Sequence, residues 1–419
     1  MSRHQSTEVL VVGAGPVGML SALVLARSGI GVTLVDREQR PATHSYACGL
    51  HPRSLGLFDR LGLLPEIQQA ARRLDRVAFH SARGREAEIR FAALPVEFPF
   101  VLVLPQSALE SILAKSLAQW GCQVLWNHRL STVQARPGEV VAEVDELVGT
   151  AMGYIVPHWE WVVRRTLDIT ASFVIGADGH HSLVRRLVGI EHQQLADPEL
   201  YVVYEFESAS PVADELCVVL DQGARSVLWP LTHGRCRWSF QLTDVQELGD
   251  FSDKDRSLGW AESTTHAERT FERLKARLKA RAPWFGAGIR KVDWAVDIQF
   301  QHRLAREFGR QRCWLAGDAA HQTSPAGIQS MNAGLIEAED LAGRLVQILR
   351  QNAPLEVLQR YDRTHHEAWQ QLQGATGAPQ PGPDTRPWVK ENAGQLVSSI
   401  PATGNDLTGL LAQLGLKLP

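Results

Sequence analysis

The stretch VVGAGPVG, residues 11–18, constrains the fold more than any other part of the chain. The apolar run 9–12 predicts a buried strand, and residues 19–28 predict a helix that ends at a glycine. A second apolar run, 32–35, predicts another strand, which ends at Asp36. A strand, a glycine-rich turn, a helix and a second strand form the βαβ unit of a parallel sheet. The sequence therefore predicts an α/β fold.

The glycine turn also predicts a dinucleotide site. Gly13, Gly15 and Gly18 form the pattern G-x-G-x-x-G. Gly13 would allow the tight turn, Gly15 would let backbone N–H groups approach a pyrophosphate, and Gly18 would let helix and strand pack closely. Asp36 at the end of the next strand would hold ribose hydroxyls, which favours FAD or NAD over NADP at this site.

Two further strand ends carry an acid beside glycine. In FVIGADGHHSLVRR, residues 173–186, an apolar strand leads to Asp178 and Gly179. In CWLAGDAAH, residues 313–321, a similar strand leads to Asp318. Either turn alone is equally well explained as an exposed acid at a strand end. Three such turns in one chain indicate a shared site.

The three motifs, in this order, resemble those of the FAD-dependent aromatic hydroxylases, the class A flavoprotein monooxygenases with the p-hydroxybenzoate hydroxylase fold. The similarity covers about residues 8–370, and its specific parts are DGxxSxVR from Asp178 to Arg185 and the pattern GDAAH…P.G.Q..N from 317 to 332. The resemblance implies an FAD-binding Rossmann-like domain of the GR2 type. It also implies an inserted substrate domain built from a mixed β-sheet and a helix.

The pattern along the chain suggests where these domains lie. Strand-like runs after about residue 190 and a charged helix near 265–281 predict a second sheet with its own helix. We expect the FAD-binding domain at 1–75, 101–190 and 290–370, the substrate domain at 76–100 and 191–289, and a C-terminal arm and helix at 371–419.

The resemblance also implies roles for single residues. The cofactor-binding set it implies is Gly13, Gly15, Pro16, Gly18, Asp36, Arg37, Tyr46, Arg53, Gln106, Asp178, Gly179, Asp318, Pro325, Gly327, Ile328, Met331 and Asn332. Within this set the glycine turn would hold the pyrophosphate, and Asp318 would bond to the ribityl chain or to a nearby group on the phosphate side. The segment 325–332 would wrap the isoalloxazine ring, and the loop at Asp178 is also linked to NAD(P)H, a transient co-substrate.

The chain departs from the family pattern at two places. The family usually has Gly-Gly-Gln-Gly in the flavin loop, but here the residues are Gly327, Ile328, Gln329 and Ser330. Tyr46 stands where an arginine often contacts the cofactor, and it cannot supply that charge. These changes affect the expected movement of the flavin and the rate of its reduction more than FAD binding itself.

The resemblance implies an NAD(P)H-dependent monooxygenase. It would use O₂ and a flavin C4a-hydroperoxide to oxygenate an aromatic or polycyclic small molecule. Two rival functions remain at this point. One is an FAD-dependent reductase of the geranylgeranyl-reductase type, which would consume no O₂. The other is a flavin-binding scaffold protein without turnover, and steady NAD(P)H consumption with a substrate would exclude it.

A catalytic base cannot be chosen from the sequence. Tyr201, Tyr204, Arg225 and His233 in the predicted second sheet are candidates, although a packed or solvent-facing role is the better interpretation of each. The aromatic residues Trp229, Trp238 and Phe240 could line a substrate pocket or form the core of the sheet. Pro230 matches a family position near the substrate and slightly favours the pocket.

Composition excludes several other classes of protein. The net charge is −3, which argues against a nucleic-acid partner. The five cysteines have no paired spacing, which is typical of a reduced, cytoplasmic protein. Neither CxxC nor HExxH occurs, so we expect no metal site. No apolar run approaches the roughly 18 residues of a membrane span. A homodimer is left open.

Overall fold

The computed structural model describes residues 3–39, 49–152, 158–243, 264–373 and 378–418. Within these ranges the chain forms two large sheets and two small ones. Ten helices are described: α1 (Pro16–Arg27), α2 (Pro52–Arg60), α3 (Leu64–Ala70), α4 (Gln106–Gln119), α5 (Leu183–Leu187), α6 (Thr264–Arg281), α7 (Gln329–Gln351), α8 (Glu356–Leu372), α9 (Pro387–Val397) and α10 (Gly404–Ala412). None of them is long and apolar enough to cross a membrane.

The first sheet contains the predicted βαβ unit. Its eight described strands are β1 (Arg3–Val12), β2 (Val32–Val35), β8 (Val124–Leu125), β9 (His128–Arg136), β10 (Glu139–Met152), β11 (His158–Gly176), β17 (Gly309–Arg310) and β18 (Cys313–Leu315). The main order is β17-β18-β11-β1-β2-β8, and all neighbours from β18 to β8 are parallel. The helices α1, α4, α7 and α8 share its apolar core.

Four strands of this sheet end at the same level. Val12 of β1 pairs with Gly176 of β11 and with Val35 of β2, and Gly176 pairs with Leu315 of β18. The carboxyl ends of parallel strands meet at one edge, where ligands bind in open α/β sheets. All three sequence motifs therefore begin at one edge of one sheet.

The second sheet is mostly antiparallel. Its strands are β5 (Arg76–Ser81), β6 (Gly84–Arg90), β12 (His192–Ser208), β13 (Leu216–Asp221), β14 (Ala224–Pro230), β15 (Arg235–Leu242), β16 (Ile289–Ala305) and β19 (His321–Gln322), in the order β19-β16-β12-β15-β14-β13-β5-β6. Only β13 and β5 are parallel neighbours among these described strands. The remaining strands are β3 (Gly49–Leu50), β4 (Arg72–Leu74) and β7 (Val101–Val103) in one small sheet, and β20 (Gln380–Pro381) with β21 (Leu416–Lys417) in another.

Side-chain alternation along the second sheet separates two cores. On β14, Val227 and Trp229 point to the core shared with α9 and α10, whereas Leu228 points to the core shared with Leu274 of α6. A sheet that is covered on both faces requires apolar residues at successive positions, and β14 is buried along its whole length.

The structure differs from the expected domain limits in two respects. We placed residues from 290 onward in the FAD-binding domain, but β16 pairs with β12 from Ile289 to Ala305 and so belongs to the second sheet. The ladder of backbone hydrogen bonds between two long strands outweighs the local sequence pattern. Within the expected C-terminal arm and helix, α9 is a helix in addition to the expected one, α10, and Leu396 and Leu410 are fully buried in the core on the second sheet.

Candidate functional site

The turn between β1 and α1 has the shape of a diphosphate-binding turn. Gly13 has φ of +101°, and a Cβ there would lie 2.2 Å from the Ala177 carbonyl oxygen. A Cβ on Gly18 would lie 1.8 Å from the Gly13 oxygen, whereas one on Gly15 would meet nothing within 4 Å. Pro16 opens α1, and the first turn of this helix carries no acid. The helix therefore presents its positive end to open space, which suits an anionic diphosphate.

Asp36 supports this turn from the end of β2. Its two carboxylate oxygens accept from the backbone N–H groups of Ala14 at 2.5 Å and Glu38 at 2.8 Å. Each oxygen keeps a free lone pair, because a carboxylate can accept about four hydrogen bonds. The neighbouring Arg37 is exposed and pairs with Glu38.

The second motif is built around a helix cap. Asp178 accepts from the Ser182 hydroxyl at 2.5 Å and from the Leu183 N–H at 2.6 Å, at the start of α5. Burial raises the pKa of Asp178, and these hydrogen bonds offset only part of that rise. Gly179 takes a left-handed conformation with φ of +75°, which a turn before a capped helix requires. Asp178 therefore acts on the shape of its own loop.

Arg185 joins the second motif to the third. It is buried, and its Nη1 donates to the Ala319 carbonyl at 2.7 Å. Asp318, next to Ala319, is exposed at the sheet edge and accepts from the Ser330 hydroxyl at 2.5 Å. Ser330 stands where the family usually has glycine, so its hydroxyl supplies Asp318 with a donor from within the chain.

A buried histidine–glutamate hydrogen bond lies beneath the third motif. Nε2 of His321 lies 2.8 Å from Oε2 of Glu337, which also accepts from the Gly317 N–H at 2.9 Å. Trp369 stacks on the His321 ring at 3.7 Å and donates to the other Glu337 oxygen at 2.8 Å. Burial raises the pKa of Glu337, but His321, His365 and the Gly317 N–H together outweigh this effect, and the pKa is lowered overall. This group fixes the Gly-Asp turn against α7 and α8.

Asn332 connects the flavin loop to the segment before α2. Its Oδ1 accepts from the His51 N–H and the Ser54 hydroxyl, both at 2.8 Å. Its Nδ2 donates to the carbonyls of Gly49 and Ile328, both at 2.9 Å. All the hydrogen-bonding groups of the amide are thus used inside the protein. Asn332 therefore shapes the loop, and its amide contacts are with the chain itself.

His51 contacts the flavin loop but is not among the residues that the sequence predicts for the site. The side chain is buried, and Nε2 lies 2.8 Å from the Gly327 carbonyl oxygen. Burial lowers the pKa of His51 to about 4, although the hydrogen bond to Gly327 opposes the change. The neutral ring therefore donates its Nε2 proton to the loop. Its place directly before Pro52, at the start of a helix, was the available signal.

Ile328 occupies the departure from the family pattern. It has φ of +51° and ψ of +37°, a left-handed conformation that is rare for a β-branched residue. Its N–H bonds to the Pro325 carbonyl at 3.2 Å, which closes a turn. The side chain packs beside Trp229 and Gly49, since a Cβ on Gly49 would lie 3.1 Å from Trp229 and 3.2 Å from Ile328.

Two of the four candidate catalytic residues lie beside this loop. The Tyr201 hydroxyl is 3.2 Å from the Ser324 hydroxyl, and Nη1 of Arg225 donates to the same Ser324 oxygen at 3.0 Å. Tyr201 also donates to Oε2 of Glu199 at 3.0 Å, and Nε2 of His302 lies 3.6 Å from the other Glu199 oxygen. We call these five residues the Ser324 cluster.

The Ser324 cluster is strongly polarised. Burial raises the pKa of Glu199, but the hydrogen bond with His302 and the charge of Arg225 outweigh it, and the pKa falls to about 2. Burial raises the pKa of Tyr201 well above its ordinary value. Glu199 is therefore ionised and Tyr201 neutral. Glu199 is not among the residues that the sequence predicts for the site. Its spacing of two from Tyr201 on a strand places both residues on one face and was the usable signal.

Two other candidates lie elsewhere. Tyr204 points to the core on the α6 face of the second sheet, together with Trp238 and Phe240. His233 is exposed in the turn between β14 and β15. Strand alternation explains the first result, because Tyr201 and Tyr204 are three residues apart and so lie on opposite faces. Tyr204 and His233 therefore lie apart from Ser324, and Trp238 and Phe240 belong to the core of the second sheet, the alternative to a pocket that the sequence left open.

Three other positions of the predicted cofactor-binding set are Arg53, Gln106 and Tyr46. Arg53 is exposed, and its Nη1 lies 3.9 Å from the place of a Cβ on Gly404, so it faces α10 and not the flavin loop. Gln106 opens α4 and donates to Glu110 at 2.7 Å. Tyr46 lies outside the described residues.

Comparison with known proteins identifies the family. A family model described as an FAD binding domain matches residues 6–376, so the chain belongs to this family, and FAD is the cofactor that the family binds. The 6-methylpretetramide 4-monooxygenase of Streptomyces rimosus is 29% identical over 84% of the chain. The para-nitrophenol 4-monooxygenase of Pseudomonas sp. (strain WBC-3) is 26% identical, over 84% of the chain and 81% of its own length.

The predicted fold is also confirmed. The crystal structure of p-nitrophenol 4-monooxygenase PnpA from Pseudomonas putida DLL-E4 aligns with a TM-score of 0.75 at 22% identity. The alignment covers 98% of this chain and 97% of that chain. In contrast, the chain spans 58% of the length of the Streptomyces rimosus relative.

Proposed function

We propose that the protein is an FAD-dependent monooxygenase, which uses NAD(P)H and O₂ to hydroxylate or otherwise oxygenate an aromatic small molecule. One observation carries this proposal. The flavin loop starts at Pro325, directly after Ser324. Ser330, farther along, bonds to Asp318 at the edge of the first sheet. Ser324 bonds to Tyr201 and Arg225 of the second sheet. A cofactor edge and a buried polar face thus adjoin at one loop, as oxygenation of a bound substrate requires.

The proposed domains follow the two sheets. The FAD-binding part comprises the first sheet with α1, α4, α7 and α8, and the substrate part comprises the second sheet with α6. We assign β16 to the substrate part because of its pairing with β12. The helices α9 and α10 complete the substrate part on its other face.

The residues at the sheet edge fit FAD. The N-terminus of α1 and the open side of Gly15 would receive the diphosphate, and Asp36 would accept from ribose hydroxyls through its free lone pairs. Asp318 would accept from the ribityl chain, and the turn 325–328 would lie along the ring. When bound, FAD would supply the electron transfer from NAD(P)H to O₂ and the oxygenation of the substrate.

The start of α7 would contribute an electrostatic effect. The helix begins at Gln329, and its first turn contains no acidic residue. A helix N-terminus carries about half a positive charge. Pointed at the flavin, it would favour the anionic reduced form and thereby assist reduction by NAD(P)H.

The Ser324 cluster would bind the oxygen of a phenol-like substrate. Arg225 is buried, and its Nε has no partner among the described residues. Its positive charge would favour the ionised form of a phenol bound beside it. Ionised Glu199 accepts the hydrogen bond that the Tyr201 hydroxyl donates, so the lone pairs of the Tyr201 oxygen remain acceptors for Ser324 or for the substrate. Trp229 would provide a flat apolar wall.

An anaerobic titration with NADPH and NADH, followed by visible absorption, tests the proposal. We expect a yellow protein that bleaches and recovers its colour when air enters, and faster bleaching when a phenol is bound. Product analysis should then show an added oxygen atom. A protein that bleaches but transfers no oxygen to any aromatic compound and reduces an olefin would support the reductase. A yellow protein that no nicotinamide nucleotide bleaches, with or without phenols, would refute turnover.

A further inference from the structure

Gln329 makes an unusual set of contacts with the end of the chain. The side chain is buried, and its Nε2 faces three backbone carbonyl oxygens: Val397 at 3.0 Å, Ile400 at 3.2 Å and Ala402 at 3.4 Å. An amide nitrogen has two N–H groups, so the three carbonyls share two donors. We call the segment 397–402 the C-terminal cradle.

The cradle also lies directly on the backbone of the flavin loop. A Cβ on Gly327 would lie 2.8 Å from the Ile400 oxygen and 2.9 Å from the Ser398 oxygen. No larger residue fits there unless the two segments separate. Ile328 lies in the same apolar core as Val397 and Ile400. Polar and apolar contacts therefore join the loop to the cradle over three successive residues, 327 to 329.

The helices on either side hold the cradle in place. In α9, Nε2 of Gln395 donates to the Gly223 carbonyl at 2.7 Å, in the turn between β13 and β14. Just after α10, the Gln413 amide makes two hydrogen bonds with the backbone of Arg90, at 2.9 and 3.0 Å. The cradle is thus anchored to the second sheet on both sides. It also lies beyond residues 6–376, which the family model matches.

We propose that Gln329 is a positioning residue through which the C-terminal cradle fixes the conformation of the flavin loop. The cradle holds the left-handed backbone at Ile328, a conformation that an isoleucine rarely adopts by itself. The second sheet thereby sets the loop geometry through α9 and α10. The role in flavin binding rests on the proposed function, whereas the joining of loop and cradle does not.

The substitution Gln329→Glu tests this role with little change in shape. It replaces the donor by an oxygen that faces three carbonyl oxygens in a buried site, so we expect the loop and the cradle to separate. Gln329→Met removes the donors without adding charge and serves as the milder variant. The matched control is Asn392→Asp, which removes an N–H to carbonyl bond to Trp388 within α9, apart from the loop and from the anchors of the cradle.

Hydrogen–deuterium exchange of the full-length protein without FAD measures the joining directly. We expect both Gln329 variants to exchange faster in peptides covering 325–332 and 396–402, while Asn392→Asp leaves 325–332 unchanged. Faster exchange in only one of the two segments, or equal effects of Asn392→Asp and Gln329→Met on the loop, would overturn the proposal. If Gln329→Glu does not fold, Gln329→Met decides.

FAD titration, followed by flavin fluorescence, measures the positioning. We expect the Kd for FAD to rise by about tenfold or more in Gln329→Met, since one buried hydrogen-bonding group loses its partner. An unchanged Kd with faster loop exchange would refute the positioning role. If the unaltered protein binds no FAD, the proposed function fails, and the exchange result still decides whether the loop and the cradle are joined.

Discussion

The stability of the protein should depend on pH through His51. The ring is buried, donates from Nε2 to the Gly327 carbonyl, and leaves Nδ1 without a partner among the described residues. Its folded pKa of about 4 lies below the ordinary value of 6.5. The contribution of the neutral ring is therefore fully present above pH 6.5 and is lost as the pH falls towards 4. Between pH 7 and pH 5 the loss is about 2 kcal/mol of unfolding free energy.

Urea unfolding of the native protein and of His51→Gln, followed by tryptophan fluorescence at pH 7 and pH 5, measures this loss. Glutamine can donate to the same carbonyl but does not titrate, so the variant should lose about 2 kcal/mol less than the native protein between the two pH values. His233→Asn, at an exposed left-handed turn position, is the control and should keep the native pH dependence. Equal pH dependence of the native protein and His51→Gln would refute the assignment of a buried neutral ring.

Two further predictions concern the cofactor edge and the Ser324 cluster. Gly15→Val and Asp318→Ala should each purify with less FAD than the native protein. Their far-ultraviolet circular dichroism should be unchanged, because a Cβ at Gly15 meets nothing within 4 Å and Asp318 is exposed. Full flavin content in both variants would contradict the proposed cofactor site. Glu199→Gln should flatten the acid unfolding curve. The low pKa of Glu199, about 2, gives about 3 kcal/mol of stability above pH 4.5 that is lost towards pH 2, and a native-like acid curve would contradict this.

The cofactor edge could be predicted because its signals are local. Gly13 and Gly18 are adjacent to backbone that would clash with any side chain, so the turn itself demands glycine. The signals at Asp178 and Asp318 are also local, because the apolar run of each strand fixes where its acid lies. Short-range steric limits and hydrophobic periodicity depend on consecutive residues, so they can be predicted from the sequence.

Only strand pairing in the second sheet distinguishes the catalytic candidates from one another. Tyr201 and Tyr204 look alike in sequence, but one faces Ser324 and the other faces α6. The phase of a strand within a sheet covered on both faces is fixed by pairing with distant strands, here β15 and β16. For this reason local pattern could not separate Tyr201 from Tyr204, and the only local signal for Glu199 is its spacing of two from Tyr201 on the strand.

The sequence by itself determined the α/β class and the three motifs at strand ends, because each depends on residues close together along the chain, and the resemblance of those motifs to a family indicated FAD. The tertiary structure alone decided which side chains surround the flavin loop. His51 reaches Gly327 over 276 positions, and Gln329 reaches Val397 over 68. Contacts at such separations arise when two sheets and the C-terminal helices pack together, and no local propensity encodes them.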